Sequence, residues 1–557
     1  MKLRYGLALV VSAAFLAGSA GLASAAQPGS ASRATATTAS GGVATARSVN
    51  LRALAAGRQI PAHAGAVGTL GLDGRPAGAG LPARRSHGYK VAPRAPGSRP
   101  PGPNSARRAR SAASARTTAG LRPAATHRAV PRTPPTTVNA NFSGVSQATS
   151  NCGGCQPPDP NAAVGLTQIA EAVNLRLEVY SKTGAVQCGI GLNTFLGTTS
   201  ALSDPRVQYD SLYNRFSMVV TVVPTPGATP ALYVLASQTA SACGSWWVYR
   251  MSFFGSSYPA GTLLDYPYLG QDRVSLLFSS NNFCCAATFH YINSAAFSIS
   301  KARVYSGAGV GFSSYRVAFS TAPVTVSGIP IAPTSNTYFL ASVPGYGYDL
   351  YRMTTGPNNP IVLQAAISSP FIAPTRRVNQ PGTTQTLDPL DGRIPWAPIQ
   401  SQNFLWFAHG MDLSGYPAIR YGAIGVLSNS AFVATAFHSA TSDDFNPSIG
   451  VADAGSNAIY AWVNWAYTDT PRFVSTSDTI NGVLPGAGVP NLIGTDRTLV
   501  TGFRTSSNFR FGDFSSVEVD PTAATGSCPA GRTAVTNQEY FTANGQWATR
   551  VARLSFC

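Results

Sequence analysis

Charge is scarce in this chain. Only 11% of its 557 residues are Asp, Glu, Lys or Arg, while Gly numbers 54 and Pro 41, a composition that excludes a coiled coil or other long-helix protein. No apolar stretch reaches the length of a membrane-spanning helix, and no helical amphipathic pattern persists beyond a few turns. G-x-S-x-G, H-E-x-x-H, Walker A and G-x-G-x-x-G are all missing, so a serine-hydrolase, NTPase or dehydrogenase reading has no support. Beyond residue 137 the only histidines are His290, His409 and His438. They lie far apart and read as ordinary strand or loop residues.

Acid is nearly absent from the first quarter. Residues 1–137 hold 19 basic residues and one acidic residue, Asp73, which accounts for the whole net charge of +18; residues 138–557 hold 21 of each sign. Residues 1–25 read as a secretory leader. Lys2 and Arg4 open it, Leu7–Leu16 is apolar, and Ala23-Ser24-Ala25 is a cleavage site. Residues 26–137 are Ala, Arg, Gly, Pro, Ser and Thr with one aromatic, Tyr89. So little apolar surface cannot offset ordering entropy, so a disordered basic tail or propeptide is expected. Arginine runs without interleaved aromatics are a weak nucleic-acid pattern and fit a linker, or a tether to anionic cell-wall polymer.

Residues 138–557 carry all seven Trp. Short β-rich runs such as Phe216–Val223, Ala231–Ala236, Trp246–Phe253 and Ala458–Trp465 alternate with Gly, Pro, Asn and Ser, which reads as all-β. A polar opening recurs: Asp159-Pro160, Asp204-Pro205, Asp265-Tyr266-Pro267, Asp388-Pro389, Asn446-Pro447 and Asp513, at intervals of 45, 61, 123, 58 and 67 residues. The long interval is close to two units, and Ile329–Pro333 fits a degenerate opening between them. Asp204–Tyr209, Ser217–Val223, Leu232–Ala236 and Trp247–Phe253 give four strands in one unit. Four-strand units without helices predict a β-propeller over 138–557, of seven blades with six or eight compatible. Val138–Val145 is placed to close the ring by joining the last blade.

Eight cysteines in an exported chain read as disulfides, with 105 connectivities open. Cys528 with Cys557 would pin the C-terminal strand, and Cys188 lies in the first unit near Cys152 or Cys155. Cys152-Gly153-Gly154-Cys155 reads as a stapling loop, with a redox or half-zinc site as the alternative.

If the openings begin the innermost strands, Asp159, Asp204, Asp265, Asp388, Asn446 and Asp513 converge on one mouth of a central channel, with Arg206, Arg273, Arg393 and Arg510 nearby. Carboxylates, arginines and aromatic faces suit sugar recognition, and a carboxylate pair suits hydrolysis. Asp388, Asp391 and Glu539 are the candidate catalytic residues. Arg206, Tyr266, Arg393, Trp396, Tyr540, Asp204 and Asp265 are the candidate substrate-binding residues. Asp before Pro also caps turns, and recurrence in nearly every unit favours a role in holding blades together. No cofactor is implied, though clustered Asp and Asn oxygens could hold Ca²⁺.

Pro157–Gly165, Glu171-Ala172-Val173-Asn174, Asp204–Asp210 and Gly512–Val517 resemble exported bacterial propellers of the sialidase-like, BNR-repeat superfamily, over about residues 140–557. The resemblance implies the fold. The chain has no S-x-D-x-G-x-x-W Asp box and no assignable arginine triad or Tyr/Glu nucleophile pair, so it does not imply sialidase activity. The expected function is a secreted, monomeric propeller that binds, or binds and cleaves, extracellular polysaccharide at the channel mouth as a glycoside hydrolase or lyase. The alternative is a non-catalytic surface scaffold or adhesin tethered through its basic tail. No specific nucleic-acid partner and no transmembrane segment are expected.

Overall fold

The computed structural model describes residues 38–40, 43–57, 59–60, 137–285, 289–453, 459–469, 472–483, 497–506, 509–524 and 526–557. The expected leader and most of the expected tail lie outside them. The described residues are nearly all β. They form one sheet of ten strands, one of five and four of four, with only three short helices, Leu51–Ala55, Leu192–Leu196 and Lys301–Ser306. The ten-stranded sheet is two antiparallel groups bridged by Thr325–Val326, which pairs in parallel with both Leu263–Gln271 and Ile399–Ser401. Counting its halves separately gives seven antiparallel groups.

The first strands of the groups are Asn161–Val164, Leu202–Asp210, Leu263–Gln271, Ala322–Pro323 with Thr325–Val326, Ile399–Ser401, Asp443–Asp453 and Ser516–Val519. Each lies against the next, and Ser516–Val519 lies against Asn161–Val164. Every group is thus covered on both faces by its neighbours. This is why Phe216–Val222 and Ala231–Ser237 are buried along almost their whole length instead of alternating.

Thr137–Ser146 pairs antiparallel with Trp547–Ser555, the position expected for it. It joins the two ends of the chain's β region in one sheet. Glu171, fully buried, accepts from Val145 N at 2.9 Å, Tyr180 OH at 2.9 Å and Asn537 Nδ2 at 2.7 Å, fastening that sheet to the first group.

Two expectations need correction. Part of the basic segment is folded. Thr38–Ser40 pairs with Ser313–Tyr315, and Ala46–Asn50 adds a fifth strand beside Ser245–Tyr249. Asn50 Oδ1 then accepts from Ala53 N at 2.9 Å to start the helix Leu51–Ala55. Val49 and Leu51 are buried in the same core cluster as Phe195 and Trp246. Averaged over a hundred residues this composition looks unable to fold, but the local apolar spacing 49, 51, 54 is enough when a ready-made sheet edge receives it. The fourth opening is also misplaced. It falls at Ser320, with the group's first strand at Ala322–Pro323, whereas Ile329–Pro333 is a loop.

The disulfides are Cys152–Cys155, Cys188–Cys243, Cys284–Cys285 and Cys528–Cys557. Cys528–Cys557 is the expected pair. Cys188 bonds neither Cys152 nor Cys155. It sits on the outermost strand of the first group, Val186–Gly191, where the nearest thiol is that of the loop before Ser245–Ser252 in the second group. Cys152 and Cys155 close a tight turn on each other. These bonds fit an oxidising compartment. Among the described residues no helix is long and apolar enough to cross a membrane.

Leu51→Ala is expected to lower stability by about 2–5 kcal/mol, because it empties a fully enclosed site. Denaturant unfolding followed by tryptophan fluorescence reads this directly, and an unchanged midpoint would mean the arm lies outside the cooperative unit. Replacing Cys188 and Cys243 together by Ala opens a 55-residue loop and is expected to cost about 4 kcal/mol. The same unfolding curves, compared under non-reducing conditions, check it.

Candidate functional site

One residue with positive φ precedes each first strand or interrupts its pairing early: Asp159 at 52°, Asp204 at 54°, Tyr266 at 51°, Ser320 at 52°, Leu390 at 61°, Asn446 at 52° and Gly512 at 30°. In four of them proline follows and holds the next residue extended. Asp and Asn accept this backbone readily, whereas Tyr266 and Leu390 do so only because their surroundings fix them. The side chains at these turns tie each group to its neighbour. Asn174 donates to Asp159 Oδ2 at 2.7 Å and accepts from Asp204 N at 3.0 Å. Asp204 Oδ2 in turn accepts from Tyr266 N at 3.0 Å. Asn446 Nδ2 donates to the Gly512 and Phe514 carbonyls at 3.2 and 3.1 Å.

The openings do converge, but on a closed plug and not an open mouth. Asp159, Asp204, Asp265, Asp388 and Asp513 are each at most 3% exposed. Arg510 bonds Asp513 and reaches Asp388 Oδ2 at 3.4 Å. Arg206, 1% exposed, donates to the Pro395 carbonyl at 2.7 Å and is held by rings, its guanidinium carbon 3.6 Å from the Phe514 centroid and 4.8 Å from those of Tyr266 and Tyr268. Arg393 clamps Asp391 at 2.8 and 2.6 Å. Glu539 is buried against Gly512 N, and Tyr540 OH lies 3.2 Å from Ser143 Oγ. Asp388 and Glu539, expected as catalytic acids, and Arg206, Tyr266, Arg393, Tyr540, Asp204 and Asp265, expected as substrate ligands, are thus all buried in the fold. Each is walled off from solvent and engaged in joining strands. Asp391 keeps some exposure, but its carboxylate is committed to Arg393. Among the described residues no group of three or more His, Cys, Asp or Glu is arranged to hold a metal ion.

Burial sets the chemistry of the plug. It raises the Asp159 carboxyl well above its ordinary range, reinforced by Asp513 and Asp204, and it raises Asp204 as well. It lifts Asp388 to about 7 against the pull of Arg510, and it lifts Glu539 strongly. Asp391 moves the other way. Burial would raise it, but Arg393 outweighs that and holds it ionised.

Trp396 is the one expected ligand-binding residue that faces a cavity. The chain passes from Arg393 along Ile394 and Pro395, whose carbonyls take Tyr268 OH at 2.7 Å and Arg206 Nη1, and delivers Trp396 into a space of about 240 Å³. Its walls are the far ends of the first strands: Val164, Gln208, Tyr209, Gln271, Val326, Ile399, Val451 and Glu518, with the loop Ser327–Ile331. The cavity therefore lies at the end of the ring opposite the plug. Glu518 is partly exposed there, and its oxygens accept from Val164 N at 2.7 Å and Tyr209 N at 2.9 Å. Burial pushes its carboxyl up to about 8 against those two donors. Gln208 Nε2 is buried at this wall with no acceptor, while Gln271 Nε2 donates to the Tyr209 carbonyl at 2.7 Å. Sequence reasoning missed Gln208, Gln271 and Glu518. The available signal was their place four to six residues beyond an opening, toward the end of a first strand.

Because Asp388 and its neighbours have raised folded-state pKa values, the native protein holds protons that the unfolded chain releases above about pH 4. That stability is complete below the unfolded value and is lost as pH rises through the folded one, near 7 for Asp388. The melting temperature is therefore expected to fall between about pH 5 and pH 8. A scanning-calorimetry series that is flat or rising over that interval would contradict the plug's electrostatics.

No protein-family model matches the chain, and no curated protein matches it in sequence. Its backbone has distant likenesses among solved structures. The N-terminal domain of Nup159 is 11% identical, covering 77% of this chain and 97% of that one at a TM-score of 0.36. The phage phi92 endosialidase is 10% identical, covering 72% and 67% at 0.33. A Penicillium chrysogenum α-L-arabinanase complexed with arabinobiose is 12% identical, covering 63% and 92% at 0.29. Likeness at this level assigns neither family nor activity, and the functional reading rests on the chain's own geometry.

Proposed function

We propose that the chain is an exported seven-bladed β-propeller that binds a carbohydrate in the cavity at the far end of its ring of first strands. The observation that carries this reading is that Trp396, the acceptor-less Gln208 amide and Glu518 all line one cavity. An indole face packs on the C–H face of a pyranose, and amide and carboxyl groups bond its hydroxyls. Small-molecule pockets run from about 300 Å³ upward. The cavity sits just below that range, so it suits one or two sugar units at a chain end. The leader over residues 1–25 and the disulfides support export.

Binding without cleavage is the better fit. Hydrolysis by the common route needs two carboxyl groups flanking the scissile bond. Glu518 is the only carboxyl among the residues lining the cavity, and both its oxygens already brace neighbouring strands.

Trp396→Ala is expected to weaken glycan binding by about tenfold or more, equivalent to roughly 1.4 kcal/mol, and to lower the melting temperature as well, because the ring is only 8% exposed. Asp391→Asn, which lies outside the cavity, is expected to leave affinity unaltered. Calorimetric titration of both variants against neutral, amino and acidic oligosaccharides separates the cases, and equal affinity in wild type and Trp396→Ala would remove the cavity as the site.

A further inference from the structure

The cavity contains one ionisable acid and nothing to oppose it. None of its lining residues is Lys, Arg or His. Of the cations around it, Lys182 and Arg553 both bond Asp520, Lys301 bonds Asp210 at 2.7 Å, and Arg273 donates to the Ile331 carbonyl at 3.4 Å. Asp520, just past the end of the strand that carries Glu518, adds negative potential there. The neighbouring first strands present only the backbone N–H groups of Val164 and Tyr209 to it. A carboxylated sugar would sit beside Glu518 with no cation among the lining residues to offset the repulsion.

A cationic ligand meets the opposite situation. Each carboxylate oxygen has two acceptor positions, and each Glu518 oxygen uses one, so one remains on each. Trp396 lines the same cavity, and indole rings attract ammonium groups. Gln208 Nε2, in a side chain 3% exposed, has no acceptor and points to an oxygen-bearing ligand. From these features we propose that the cavity selects a sugar with a free amine, of the glucosamine type, over N-acetylated, neutral or uronic sugars, through Glu518. This deepens the carbohydrate reading above and rests on it.

An ammonium beside Glu518 favours the ionised carboxylate. Since burial holds the empty site's carboxyl at about 8, binding near pH 6 must expel that proton. No covalent step is involved; the proton passes to buffer.

The test is calorimetric titration of the full chain with a glucosamine tetramer, its fully N-acetylated counterpart and a galacturonate tetramer, in two buffers of different ionisation enthalpy near pH 6. Expected are affinity for the amine at least about tenfold above the N-acetyl form, no measurable binding of the uronate, and release of close to one proton per amine ligand bound. Glu518→Ala should abolish both preference and proton release. If losing the brace to Val164 and Tyr209 unfolds that variant, the ligand series and the proton count decide alone. Equal, Trp396-dependent binding of amine and N-acetyl tetramers would overturn the amine proposal while leaving the carbohydrate reading standing. Tight binding of the uronate would overturn it too. Failure of every glycan to bind a folded protein would remove both readings.

Discussion

The once-per-group left-handed turn at the start of each first strand is the constraint on which the rest depends. Seven strands meeting at one end bring seven polar turns into a space from which water is excluded, where backbone groups and carboxylates must find partners or neutralise. The chain solves this by making each turn serve the next. Asn174 joins the first turn to the second, Asp204 caps the third at Tyr266, and Asn446 takes the carbonyls on either side of Asp513. The carboxylates that remain are neutralised by Arg510 and Arg393 or held protonated by burial. Arg206, without a carboxylate partner in hydrogen-bond contact, is retained by three aromatic faces instead.

This arrangement assigns the recurring acids a part in assembly. A general acid or nucleophile must reach substrate, and these acids are each at most 3% exposed. Truncating any one of these side chains would leave its partner buried and unmatched, which costs far more than a surface change. The Glu171-Ala172-Val173-Asn174 segment carries the same lesson. Its two polar residues fasten the closing sheet and the first two turns, so a motif that resembles a family pattern is here a record of assembly.

The degree to which the molecule was legible in its sequence follows from what each feature demands of its residues. A left-handed turn followed by an extended residue favours Asp or Asn and then Pro, so Asp159, Asp204 and Asn446 stood out and the repeat could be read. Ser320 makes the same turn without Pro or a carboxylate, and the fourth opening was placed some ten residues late. The arm at residues 43–57 was hidden because a strand added to an existing edge needs only a few apolar residues, fewer than its Arg- and Ala-rich surroundings obscure. Cys188–Cys243 was hidden because it crosses from the outermost strand of one group to a loop of the next, 55 residues on.

The cavity was hardest to read for a related reason. Its residues come from the ends of different first strands, each at its own distance from the preceding turn, so no fixed spacing connects Gln208, Trp396 and Glu518. Turn geometry occupies the starts of these strands. Only the opposite ends, past the last inter-strand cap, are free to vary without undoing the ring. A binding site in such a molecule therefore forms where the repeat stops constraining the sequence. Glu518 stands at that boundary: its two oxygens still brace Val164 and Tyr209, and the acceptor positions left over are what the cavity offers to a ligand.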